Sequence, residues 1–273
     1  MGEMNMIYEL ERSDFYRCKD LLSGEGNVEV NAIIEGNNTG RVFVDNITSP
    51  RSGLVLLGNN DGSFLIGDTN HNSFNELQQF ILEDLKTLGM DYYEVAGTHP
   101  FWNETILTIF NDKTIQKWTQ KVFKITEESY LKEDCPNIEG IYQTEKLTKA
   151  ILTSNEIINS KEIRDTILES WRSIDEFLQL GIGYCAIYNH EIVSVCFSNF
   201  VAGNKQCIHI ETNEAHRGKQ LAKKLAHLFV QDCFIHDLLP YWDCTTTNVA
   251  SVTVAESVGF VEEFTYDVYG FRL

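Results

Sequence analysis

The run from Cys207 to Ala222 constrains the fold of this chain more than any other stretch. Cys207-Ile208-His209-Ile210 is apolar and strand-forming. Glu211-Thr212-Asn213-Glu214 carries it into His216-Arg217-Gly218-Lys219-Gln220-Leu221-Ala222. Leu221, Leu225, Leu228 and Phe229 then recur at helical spacing, which predicts a helix over about residues 217–236. A strand feeding a helix in this way leaves the first helical N–H groups without intrahelical partners, at the positive end of the helix dipole. Arg217, Lys219, Lys223 and Lys224 add cations on the same two turns. A phosphate or pyrophosphate belongs there.

Strands and helices alternate on both sides of this run. Asn159-Ser160-Lys161-Glu162 has the form of a cap for one long helix. Its buried stripe is Ile163, Ile167, Trp171, Ile174 and Leu178, and it ends at Gly181. Residues 182–188 and 191–201 read as a hairpin through Asn189-His190, 206–212 and 239–245 as further strands, and 260–271 as a last strand pair. Residues 126–142, rich in Glu and Lys with Pro136 and Gly140, read as a connection. Before it, residues 41–45, 54–57 and 64–68 read as strands, the last two joined by the turn at 58–62. Ser73-Phe74-Asn75-Glu76 is a capping box for a helix carrying Leu77, Phe80, Ile81, Leu85 and Leu88, stopped by Gly89. Residues 92–95 read as strand, and 102–124 as helix with some strand.

These patterns predict an α/β (α+β) chain with a small α/β domain over 1–125 and a second domain over 140–273, a mixed central sheet flanked by helices. The net charge of −18 excludes nucleic acid as the main partner, because phosphate binding needs basic surface. Residues 126–273 carry 12 basic against 22 acidic residues, yet Lys205, Arg217, Lys219, Lys223 and Lys224 fall within 20 positions. The acidic remainder favours a cationic small molecule as second partner. The seven cysteines are odd in number and form no Cys-x-x-Cys pair; most sit in apolar runs, as reduced buried thiols do, and no metal site is expected. No apolar run is long enough to span a bilayer, so no membrane partner is expected. Residues 1–10 show no basic-then-apolar block, and a reducing cytoplasm is the expected location.

Arg217-Gly218-Lys219-Gln220-Leu221-Ala222, followed by Asn248, Ser251, Gly259 and Phe260, resembles the signature of the GNAT superfamily of acyl-CoA N-acetyltransferases. The two-part layout resembles the bacterial subgroup that includes zwittermicin-type resistance acetyltransferases, and its first part would be a degenerate GNAT-like or capping unit. Gln220 stands where the family usually has its middle glycine. The resemblance implies acetyl-CoA as cofactor, with Ile210 and Thr212 facing the pantetheine arm. It places the pyrophosphate on Arg217, Gly218, Lys219, Gln220, Leu221, Ala222 and Lys223, with Asn248 near the arm. It also implies a helix over 248–258, where β-branched residues alone favour a strand. The implied reaction is direct acetyl transfer to a small, cationic amine; a non-catalytic acyl-CoA sensor is the alternative. Many members place a tyrosine general acid where this chain has Ala255, which leaves Tyr266 or Tyr269 as substitutes. A strand glutamate of some members aligns with Gln206, leaving Glu211, Asp243 or His209 as the base, or a base acting through water.

Overall fold

The computed structural model of the protein describes residues 7–22, 26–58, 62–69, 74–87 and 89–273. The chain is mixed α/β and forms two compact units, Met1–Gln120 with Thr265–Leu273, and Lys121–Phe264. The division differs from the boundaries read from sequence because the final residues return to the first unit. Residues 268–272 pair antiparallel with 92–96, and Tyr269 and Phe271 help to fill that unit's core.

The first unit runs through β1 (Tyr8–Glu9), a 3-10 helix (Arg12–Leu21), α1 (Val28–Ile34), β2 (Gly40–Val44), β3 (Ser52–Leu57) and β4 (Ser63–Gly67). It continues with α2 (Phe74–Phe80), which passes into a π turn at Ile81–Leu85, then β5 (Tyr92–Gly97), α3 (Trp102–Ile109) and the start of β6 (Gln116–Lys124). Strands β1 to β4 are antiparallel neighbours, and β4 and β5 are parallel. Leu54, Leu65, Ile81, Leu85, Tyr93 and Trp102 are buried in its core. The hairpin of β3 and β4 is present, with Leu56 opposite Ser63. Its turn residues 59–61, Ser73 and Leu88, and the side chain of Glu76, lie outside what the structure describes.

The second unit contains the end of β6, a 3-10 turn (Lys132–Asp134), β7 (Gln143–Lys146), α4 (Lys149–Leu152), α5 (Ser160–Ser170), α6 (Ile174–Leu180), β8 (Gly183–Tyr188) and β9 (Glu191–Ala202). There follow β10 (Lys205–Thr212), a 3-10 turn (Glu214–His216), α7 (Leu221–Ile235), β11 (Leu239–Thr245), α8 (Val249–Val258) and the start of β12 (Val261–Arg272). The sheet order is β11-β10-β9-β8-β7, with β10 and β11 parallel and the other pairs antiparallel. One face carries a core of Leu225, Phe229, Trp242 and Phe260; the other carries Ile167, Trp171, Phe177 and Phe197.

Three sequence expectations give way here. The long helix over 159–181 is two helices. Trp171 is extended (φ −121°, ψ 141°) so that its indole N–H can donate to the Ser198 carbonyl at 2.9 Å. Ser173 then caps α6, its hydroxyl accepting from the Glu176 N–H. The last strand pair is one strand of 12 residues. The supposed connection is packed structure: the Leu131 N–H donates to the Val258 carbonyl, and the Tyr130 hydroxyl meets His227 and Gln231. Gly259, at φ 109°, ends α8 where a Cβ would overlap the Ser129 carbonyl oxygen. All seven cysteines are free thiols, and only Cys135 is not buried. Among the described residues no helix is long and apolar enough to cross a membrane.

His227 sits fully buried on α7, its Nδ1 3.0 Å from the Tyr130 hydroxyl. Burial, then Lys223 and Lys224, push its titration down to about 4, against a smaller opposing pull from Asp134. The unfolded chain therefore takes up a proton near the ordinary imidazole value of about 6.5 that the folded chain refuses until about 4. Stability should fall as pH drops through this window, by roughly 1–3 kcal/mol. Melting temperatures of the parent and His227→Gln between pH 7 and 4.5 test this: the variant should show the shallower pH slope, and equal slopes would refute the assignment.

Candidate active site

Between β9 and β10 the register shifts at Cys207/Ile208, because Cys207 faces Phe200 and Ile208 faces Ser198. At the same place β10 parts from β11. Their parallel ladder covers Lys205↔Leu239, Gln206↔Pro240 and Cys207↔Tyr241 and goes no further. Beyond it, β10 continues to Thr212 and β11 to Thr245. Two diverging strand arms expose backbone donors and acceptors that an extended ligand can meet as an added strand would. Ile208 and Ile210 point to the α7 core. Alternation puts Cys207, His209 and Glu211 on the opposite face, and the register puts Tyr241 and Asp243 there too.

The open arm of β10 leads into the turn before α7. The helix begins at Leu221, four residues later than its pattern suggested, because Gly218 (φ 74°) and Gln220 (φ 60°) are both left-handed. Such a turn curls successive N–H groups toward one side, as an anion requires. The α7 ladder opens with Lys224 N–H donating to the Gln220 carbonyl at 2.9 Å, so the N–H groups of Leu221, Ala222 and Lys223 precede any carbonyl they could reach. No atom lies within 4 Å of where a Cβ on Gly218 would stand, which leaves this side of the turn open. Gln220 meets the demand for a left-handed residue without glycine, at a strain of about 1–2 kcal/mol.

Two side chains that sequence reading missed brace this turn. Tyr142, buried, lies with its hydroxyl 3.0 Å from Nδ1 of His216. Glu139 pairs with Lys219 at 3.1 Å. Both come from a segment about 75 residues earlier that carries no local signal of its own. Arg217 is exposed and donates from Nε to the Thr212 carbonyl at 3.3 Å, which ties it to the end of β10. The Lys224 ammonium lies 3.4 Å from the Cys135 sulfur.

The structure thus gathers Ile210, Thr212 and residues 217–223 at one end of β10. Asn248 caps α8, accepting from the Ser251 N–H at 3.1 Å, and Ser251 in turn accepts from the Trp242 indole at 2.9 Å. The helix that the resemblance implied is therefore present despite its β-branched residues. Gln206 is buried, its amide donating to the Leu180 carbonyl and accepting from Ser198. Ala255 is also fully buried. Tyr266 and Tyr269 belong to the first unit, where Tyr266 packs on Phe64 and Tyr269 is buried. Glu211 is held below the usual carboxylate range by the His209 imidazole, 3.9 Å away, against the effect of partial burial and with help from Arg217. A cavity of about 230 Å³ lies beside it, lined by Asn159, Glu162 and Thr166 as well as Glu211 and Asn213.

The left-handed turn predicts a stability ranking at position 220. Gln220→Gly removes the strain but gains disorder in the unfolded chain, so the melting temperature should hold or rise by up to about 3 °C. A β-branched residue tolerates this backbone poorly, and Gln220→Val should fall below the parent. Parent-like stability of the valine variant would show that the turn is not left-handed.

Comparison with known proteins adds a family and three likenesses. A family model described as GNAT acetyltransferase matches residues 19–269. An uncharacterized N-acetyltransferase of Bacillus subtilis is 23% identical over 269 residues, covering 97% of this chain and 99% of that protein. A GCN5-related N-acetyltransferase-like protein of Streptococcus suis superposes with a TM-score of 0.71 at 20% identity, covering 95% of this chain and 99% of its own. A tandem GNAT protein from the clavulanic acid biosynthesis pathway superposes at 0.63 with 9% identity, covering 97% and 98%.

Proposed function

Because the chain belongs to the GNAT acetyltransferase family and is an acetyltransferase, we propose that it transfers the acetyl group of acetyl-CoA directly to a small, cationic amine. The observation that carries this reading is the parting of β10 and β11 at Cys207–Tyr241, with the left-handed turn at its open end. The backbone of Ile210 and Thr212 would hold the pantetheine arm. The N–H groups of Gly218, Gln220, Leu221, Ala222 and Lys223 would hold the pyrophosphate, with charge from Arg217 and Lys219. Bound there, acetyl-CoA supplies a thioester carbonyl open to attack. Asn248, at the start of α8, would lie near the pantetheine arm. The first unit, Met1–Gln120 with Thr265–Leu273, is read as a degenerate GNAT-like or capping unit, in keeping with the tandem likeness.

The amine reading rests on charge. Glu211 and Asp243 share the sheet face away from α7, and Glu162 joins Glu211 in lining the cavity. Carboxylates on that face attract an ammonium and repel an anionic acceptor. Ala255, buried and without a hydroxyl, favours the second reading, an acyl-CoA sensor, since the usual acid is missing. Turnover of acetyl-CoA with a panel of amino sugars and polyamines separates the two. CoA protection without turnover would leave the sensor.

Saturation with CoA at 100 times its Kd should stabilise the parent by about 2.7 kcal/mol. Arg217→Glu, which places like charge beside the pyrophosphate, should remove most of that thermal shift. The same shift in the variant would sink the cofactor site.

A further inference from the structure

His209 stands on β10 two residues beyond the point where that strand leaves β11. Its ring stacks on Phe197 of β9, with centroids 4.7 Å apart and planes at 29°, which fixes the imidazole plane. Its Nε2 is buried and makes no hydrogen bond. The charged group beside it is the Glu211 carboxylate. Oε2 of Glu211 lies 3.9 Å away, too far for a hydrogen bond but near enough for its charge to act.

Glu211 is the poorer base of the two. It sits about 7 Å further along the strand, toward the phosphate turn and away from the parting of the strands. Its side chain is 63% exposed and its carboxyl is held below the usual range, so it accepts a proton from an ammonium weakly. The titratable groups on the same sheet face as His209 are Cys207 and Glu211 on its own strand, with Arg217 acting on Glu211, and Tyr241 and Asp243 on β11. Glu162 of α5 shares the neighbouring cavity with Glu211, and β9 presents the ring of Phe197.

Resting on the acetyl-transfer reading, we propose that His209 is the general base that deprotonates the acceptor amine, and that Glu211 is a positioning residue that acts through it. The acceptor ammonium gives one proton to Nε2 of His209. The freed nitrogen pair then forms the C–N bond at the thioester carbonyl carbon. When the C–S bond breaks, its electrons leave with sulfur, and the second proton on that nitrogen passes to the thiolate. Amide and thiol result, and His209 returns its proton to solvent.

The test is the pH profile of kcat/KM with the best amine of the panel, for the parent, His209→Gln, Glu211→Gln and Glu211→Asp, each with CoA binding measured alongside. The parent rate should fall with a one-proton slope as the pH drops. His209→Gln should lose about 100-fold or more and lose that limb, while keeping its CoA affinity. Glu211→Gln should move the limb to lower pH, and Glu211→Asp should restore it. If His209→Gln proves unstable, His209→Phe keeps the stack on Phe197 and serves in its place. A parent-like rate and limb in the His209 variant would overturn the base assignment while leaving acetyl transfer intact. A limb unmoved in Glu211→Gln would overturn the positioning role. A parent that turns over no amine would remove the acetyl-transfer reading and this proposal with it.

Discussion

A β-ladder normally gives every backbone group a partner along its length. Here the ladder between β10 and β11 ends after three pairs, beside an irregularity at which β9 carries one extra residue, Asn199. Two strand arms with open hydrogen-bonding groups are stable only where solvent or a ligand reaches them. The cores on either face hold the arms apart: Ile208 and Trp242 are anchored beneath α7 and α8, and Phe197 backs His209 from β9. The turn before α7 and the face shared by His209, Glu211 and Asp243 both take their positions from this parting.

The turn before α7 depends on the same frame. Gly218 and Gln220 both adopt left-handed backbone, and one of them has a side chain that disfavours it. The conformation persists because it is held at both ends. His216 is tied to Tyr142 before it, and Leu221 is buried in the α7 core after it. Strained backbone of this kind survives only where the surroundings over-determine it. The substitution of the family's glycine is thus accommodated by contacts from residues 139–142, without abandoning the turn.

Much of this was legible in sequence. The strand–turn–helix run, the hairpin at Asn189-His190 and the caps at Asn248 and Gly259 all lie within one or two elements, where spacing and cap chemistry suffice. The break between α5 and α6 was less so. The apolar stripe runs through it unbroken, and the signals against a single helix are Ser173 three residues before Glu176 and an indole that needs a carbonyl partner 27 residues away. The single strand β12 reads as a pair because it passes from one unit to the other: its first residues belong to the second unit, and Tyr269 and Phe271 fill the core of the first.

Sequence by itself determined the order of elements, the cluster of cations at the strand-to-helix turn and the acidic character of the chain, because these follow from local periodicity, residue type and composition. The tertiary structure decided where β10 leaves β11, that Tyr142 and Glu139 brace the turn, that Tyr266 and Tyr269 fold into the first unit, and that His209 keeps a buried, unbonded nitrogen beside Glu211. Each of these depends on residues far apart in the chain or on which face of a strand is covered. Strand register and packing set such relations, and no local window contains them.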